Sequence, residues 1–178
     1  MITDVRAASW LYFNPYKPGD RMGMASDNPH HFTPLASYEG NEMNSSGLGY
    51  VSLIIGSAEM LGIEFYGTLD QYWSDLICYF PRVLKGETLS FVFAEAMGRG
   101  GVFTPLPGGR IRFDRDEMTD SLGDTYAPAV SAVADRAALA TALADGAQAW
   151  CDFCERTGET DYAGPIFQEW IDDVRAAI

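Results

Sequence analysis

Residues 134–158 read ADRAALATALADGAQAWCDFCERTG, and this stretch sets the architecture of the chain. At about 100° per residue, Leu139, Leu143, Gly146, Trp150, Phe153 and Cys154 fall on one narrow stripe. Thr141, Asp145, Gln148, Asp152 and Glu155 fall opposite. The spacing predicts a helix over residues 137–157 with one buried side and one wet, acidic side. Asp135 stands where an N-cap carboxylate accepts first-turn N–H groups. Gly158 stands where the residue after a helix takes positive φ. Gly146, inside the apolar stripe, costs about 1 kcal/mol of helix propensity against Ala. The expected return is close approach of a neighbouring strand or helix.

Upstream, short strand signals dominate. We read strands at residues 9–13, 50–55, 62–66, 88–95, 110–114 and 129–133, with a hairpin link at 56–61. A short helical turn at 57–61 is the alternative for that link. Val102 and Phe103 suggest a further short strand. Thr68-x-x-Gln71 matches a capping box, opening a helix whose Leu69, Trp73, Leu76, Ile77 and Phe80 share a face. Pro81 ends or kinks that helix. Gly164-Pro165 opens a C-terminal helix, with Ile166, Phe167, Trp170, Ile171 and Val174 on one side and Glu169, Asp172 and Arg175 on the other. Strands joined mostly by short links, with helices gathered late, predict an α+β fold. Its antiparallel sheet of about five to six strands is packed by three main helices.

With 178 residues, 47% of them apolar and 13% aromatic, the chain is expected to fold as one domain with a substantial core. Residues 1–48 form an irregular N-terminal third broken by Pro15, Pro18, Pro29 and Pro34. No apolar run approaches the roughly 18 residues of a membrane-spanning helix. The first residues lack a secretory pattern, and three cysteines make no disulfide framework. A cytoplasmic location is the expectation.

The net charge is −13, and it is uneven: −3 over residues 1–113 and −10 over residues 114–178. Clustered Lys and Arg are what a nucleic-acid backbone requires, so nucleic acid is disfavoured as a partner and a basic protein is allowed. Asp114, Asp116, Glu117, Asp120 and Asp124 are five carboxylates within eleven residues. Their order does not fit an EF-hand, and nothing singles out the acid and base of a glycosidase pair. Together with Asp145, Asp152, Glu155, Glu159 and Asp161 they form a candidate partner-binding surface that would steer a basic partner.

Other motifs weigh less. Cys151-x-x-Cys154 lies late in its helix, where the helix dipole opposes a thiolate, and reads as structural packing. Cys78 stands apart and no HxxxH or second CxxC supplies a zinc site. Residues 98–101, Gly-Arg-Gly-Gly, lack the Lys-Ser/Thr of a phosphate loop and read as a turn between strands. His30-His31, with Asp27 or Glu39, marks the place where an enzyme site would lie if the chain is one. No cofactor or metal signature accompanies them.

In size, acidity, antiparallel sheet and late acidic helix ending at Gly158, the chain resembles the small acidic immunity proteins of bacterial toxin–immunity systems. The resemblance is one of general style and carries no individual residue across. It implies a non-catalytic protein that neutralises a basic cognate toxin by occluding it, with Tyr126 or Tyr162 as aromatic anchors. The rival readings are a small enzyme at His30 and His31 and a structural protein of a phage or secretion system.

Overall fold

The computed structural model of the protein describes residues 4–12, 29–39, 47–93, 99–119, 125–159, 161 and 163–178. Asp27, Asp120, Asp124, Tyr162 and the Tyr126 side chain lie outside them. The class is α+β, as expected, and the strands divide between two antiparallel sheets rather than one. The first contains β1 (Val5–Tyr12), β2 (Phe32–Pro34), β3 (Leu48–Ile55) and β4 (Ala58–Leu61) in the order β2-β1-β3-β4. The two-residue β5 (Gly67–Thr68) pairs with the start of β3. The second contains β6 (Leu89–Phe93), β7 (Arg99–Leu106), β8 (Arg110–Arg115) and β11 (Val130–Asp135), in the order β11-β8-β7-β6. Between them in sequence, β9 (Met118–Thr119) and β10 (Thr125–Ala127) pair as a small ribbon. β11 runs against β4, where the sheets meet.

Among the described residues the α-helices are α1 (Leu69–Ile77), α2 (Phe80–Leu84), α3 (Arg136–Thr157) and α4 (Pro165–Ala176). α3 lies across β1 and carries α4, α1 touches both β3 and β6, and α2 rests on β6 and β7. β8 shows why a sheet face becomes core. Its Ile111 and Phe113 are buried and alternate with exposed Arg110 and Arg112, the period of two that a half-wet strand demands. Phe91, Phe103 and Phe113 stack on that inner face, with Phe80 of α2 edge-on to Phe103.

α3 matches its sequence pattern at both ends. Asp135 accepts from the backbone N–H groups of Ala137 and Ala138, and Gly158 takes φ 78°. All six stripe residues are buried. Gly146 has the close approach its position predicts. A Cβ there would lie 2.4 Å from Cη2 of Trp73 and 3.0 Å from the carbonyl oxygen of Ala7. Trp73 itself is fully buried and donates to Ser9 Oγ at 2.8 Å.

Several expectations are corrected. The strand expected at 62–66 is a 3-10 turn, Ile63–Phe65, and the strand that follows β3 and forms a hairpin with it is β4. Gly56 at φ 61° lets the chain reverse immediately after Ile55, so pairing starts at Ala58 and ends before Gly62. The reading of 57–61 as a helical turn fails for the same reason. No capping box forms: Thr68 makes no side-chain capping bond, and Gln71 donates to Asp75 instead. Thr68 is held in β5 opposite Leu48, and the Leu69 N–H is taken by the Gly47 carbonyl. Residues 99–101 open strand β7 instead of forming a turn. A Cβ at Gly100 would strike the Phe91 carbonyl and one at Gly101 the Phe113 ring, so the glycines permit close strand packing. Pro105 is tolerated because β6 reaches only Phe103, leaving Pro105 paired on the β8 side alone. Ile166 is 48% exposed. It lies one residue, about 100°, off the buried Phe167–Ile171–Val174 stripe.

Replacing Gly146 by Ala tests this packing. Helix propensity alone would stabilise by about 1 kcal/mol, whereas overpacking against a pinned indole costs about 1–3 kcal/mol or more. We expect the clash to dominate and urea denaturation to show net destabilisation. A gain in stability would refute the close contact.

Candidate functional site

The wet side of α3 is joined to α4 by a polar lattice. Gln148 of α3 and Gln168 of α4 exchange hydrogen bonds at 3.1 and 3.3 Å. Each also holds the carboxylate four residues on, Asp152 and Asp172 respectively, at 2.9 Å, the i,i+4 reach of a helix surface. Arg175 donates to Gln148 Oε1 at 3.1 Å and to Asp145 at 3.2 Å. Asp145 is thereby paired with a cation, while Asp152 is oriented by Gln148 and has no cationic partner among the described residues. Glu155, Glu159 and Asp161 continue the exposed acidic edge, and Glu169 and Asp173 add to it from α4. Over residues 137–178 there are 8 acidic side chains and 2 basic ones. On α4, exposed Ile166 and half-buried Trp170 stand one turn apart beside Glu169 and Asp173.

The other predicted acidic group sits elsewhere. Asp114 lies on the strand face opposite buried Ile111 and Phe113. It is bound to Arg112 Nε at 2.7 Å and accepts from Ser131 Oγ. Asp116 and Glu117 follow, both exposed. Among the described residues no hydrogen bond or ion pair links this group to α3 and α4.

His30 and His31 end a 3-10 turn, Pro29–His31, with ring centroids 4.3 Å apart. His30 is exposed. His31 is buried and meets Tyr12, which packs on Phe32 and Tyr66. Glu39 is exposed, just beyond the 3-10 turn Leu35–Ser37. Among the described residues no three His, Cys, Asp or Glu side chains are grouped to hold a metal ion.

The three cysteines are free. Burial, then the Asp152 carboxylate, pushes the Cys151 thiol up to about 11. Burial, followed by negative charge on Cys151, Asp70 and Glu159, pushes Cys154 up to about 12. Both shifts oppose the thiolate a redox pair needs. In the folded protein we expect both thiols to react with iodoacetamide near pH 8 far more slowly than in urea. Rapid labelling of either without denaturant would count against the packing role.

A second ionic cluster is absent from the sequence reading. Arg115, on the core side of β8, donates to Glu64 Oε1 and, at 2.6 Å, to the Pro128 carbonyl. Its guanidinium lies 5.6 Å from the Phe65 ring centroid. Glu59 and Glu64 close on Gly62 from two sides: a Cβ there would lie 2.7 Å from one carboxylate oxygen and 2.8 Å from the other. Strand parity was the available signal, because Arg115 follows Ile111 and Phe113 at spacing two.

Burial and then Glu64 raise the Glu59 pKa above its ordinary value, with Arg115 opposing. Burial, Glu59 and Glu64 push the Tyr50 hydroxyl up to about 12. A raised carboxyl pKa means the folded state holds the proton more tightly than the unfolded chain. The Glu59 contribution is therefore fully present below the ordinary carboxyl range and falls as pH rises through the raised value. Glu59→Gln is expected to raise the melting temperature near pH 7 and to have little effect near pH 3. A stabilisation equal at both pH values would show that charge is not its cause.

The chain matches no protein-family model, and no curated protein or solved structure is significantly similar to it.

Proposed function

We propose that the protein is a non-catalytic binder of a basic protein, acting as a bacterial immunity protein acts on its cognate toxin in the cytoplasm. The observation that carries this reading is the α3–α4 face. Its carboxylates are held on two interlocked helices, exceed the local cations, and flank an exposed isoleucine and a half-buried tryptophan. Asp152, Glu155, Glu159, Asp161, Glu169 and Asp173 form the charged rim, which raises the rate of encounter with a basic surface. Ile166 and Trp170 supply the apolar centre, the type of position that carries most of an interface's affinity. Neutralisation is by occlusion: Lys and Arg around the toxin's active site pair with the rim while the anchor covers its entrance. Asp114, Asp116 and Glu117 lie on another element and serve as a secondary contact.

The test is co-purification with the product of the adjacent gene at about 50 mM salt, where charge attraction is little screened. Association kinetics are then measured on the complex. The double substitution Asp152→Lys/Glu155→Lys is expected to slow association at least about tenfold, and Ile166→Ala to speed dissociation. The proposal fails if no partner is retained at low salt, or if the charge-reversed protein associates as fast as the parent.

A further inference from the structure

The other end of α3 carries a feature of opposite sign. A cavity of about 220 Å³ opens between the C-terminal end of α2, the β7–β8 turn and the first residue of α3. Its apolar part is formed by Leu84, Pro105 and Leu106, and its polar part by Lys85, Arg110 and Arg136. The last three are informative because the chain carries a net charge of −13. Most cations with described side chains are paired with carboxylates: Arg6, Arg82, Arg112, Arg115 and Arg175. Among the described residues Lys85, Arg110 and Arg136 form no ion pair.

Two of them are nonetheless held in place. Arg110 Nε donates to the Pro107 carbonyl at 3.0 Å, and Arg136 Nη1 to the Leu84 carbonyl at 3.2 Å. The Arg136 backbone N–H is bound to Gly109 O at 2.9 Å, which ties α3 to the turn. Among the described residues each guanidinium keeps donors without a protein partner. The nearby carboxylates are engaged: Asp135, cross-strand from Arg110, caps α3, and Glu87 is paired with Arg82. Beside Gly109 and Gly86 a Cβ would meet no atom within 4 Å, so the approach is open.

We propose that this cavity is a binding site for a small phosphate monoester. Three cations from three separate elements match a phosphoryl dianion, whose three oxygens point in different directions. A carboxylate would be satisfied by one planar guanidinium. The apolar walls accept a small hydrophobic substituent on the ester oxygen. The volume is below the range of roughly 300–1,000 Å³ for drug-sized ligands, and the acidic surroundings repel a long polyanion. The site is independent of the α3–α4 face, because Arg136 and Asp152 stand about 24 Å apart along the helix.

Phenyl phosphate titrated into the full-length protein, followed by calorimetry and thermal shift, is the test, with benzoate and inorganic phosphate as comparison ligands. Saturable binding with a raised melting temperature is expected, tighter for phenyl phosphate than for either comparison ligand. Arg110→Ala and Lys85→Ala, both at exposed side chains, should each weaken it about tenfold or more. Arg112→Ala, on the same strand but paired with Asp114, should leave it unchanged. Absence of saturation at millimolar ligand, or equal weakening by Arg112→Ala, would overturn the proposal.

Discussion

The indole of Trp73 is the point on which the fold turns. Its ring lies against Gly146 of α3, and its N–H reaches Ser9 of β1 at 2.8 Å, entirely out of solvent. One side chain of α1 therefore fixes where α3 crosses the first sheet. A buried tryptophan without a partner for its N–H would carry a desolvation penalty of about 1–3 kcal/mol. Ser9 removes it, and in turn finds use for a hydroxyl on a core-facing strand position. Gly146 gives up helix propensity so that the two helices and the strand can occupy one place. Each of the three residues is unfavourable or unremarkable alone and makes sense only in the presence of the other two.

The two sheets need a second constraint, and Arg115 supplies it. It extends from β8 of one sheet to Glu64, in the turn that follows β4 of the other, and its side chain is only 4% exposed. Such a pair contributes little net stability, because desolvating both ions offsets their attraction. Removing one partner is a different matter, since it strands the other charge at a cost of about 3–5 kcal/mol. The bond thus discriminates against arrangements in which the sheets slide past each other. Glu59 and Gly62 belong to the same device. The glycine leaves room for the two carboxylates beside it, and burial, followed by the Glu64 charge, raises the Glu59 pKa against the opposing pull of Arg115.

What was legible in the sequence follows from how far each signal reaches along the chain. α3 was readable at both ends because Asp135, Gly158 and the apolar stripe act within a few residues of the backbone they specify. The alternation of β8 was readable for the same reason, although its last member was missed because Arg115 is an ion where the pattern asks for an apolar side chain. The position of β4 was not readable from apolar content, since residues 62–66 are as strand-like as 58–61. A single positive φ at Gly56 decides between them. The division of strands into two sheets depends on which edges meet across α1 and α2, and no local pattern encodes that. The predicted acidic residues were found on the surface where described, but their grouping was not visible. Gln168 and Arg175, twenty and thirty residues beyond their partners on α3, hold Gln148 and Asp145 respectively, and that selection is not written in the α3 sequence.

The charges along α3 run against its own dipole. A helix N-terminus favours anions and its C-terminus cations, each by about 0.3–1 kcal/mol. Here the first turn has no acidic residue after the Asp135 cap and begins with Arg136, while Asp152 and Glu155 lie toward the other end with Arg156 as the one basic residue of the last turn. Helix stability alone does not select this distribution. Asp135 answers the N-terminal N–H groups, which frees Arg136 to face the cavity. Gln148 holds Asp152 by hydrogen bonding instead of by neutralisation, which keeps its charge available to solvent. A chain that satisfies its local rules along the core stripe and breaks them at the two ends of the outer face has its conflicts where binding is proposed. That is the pattern expected when surface charge is fitted to other molecules at some expense to the fold.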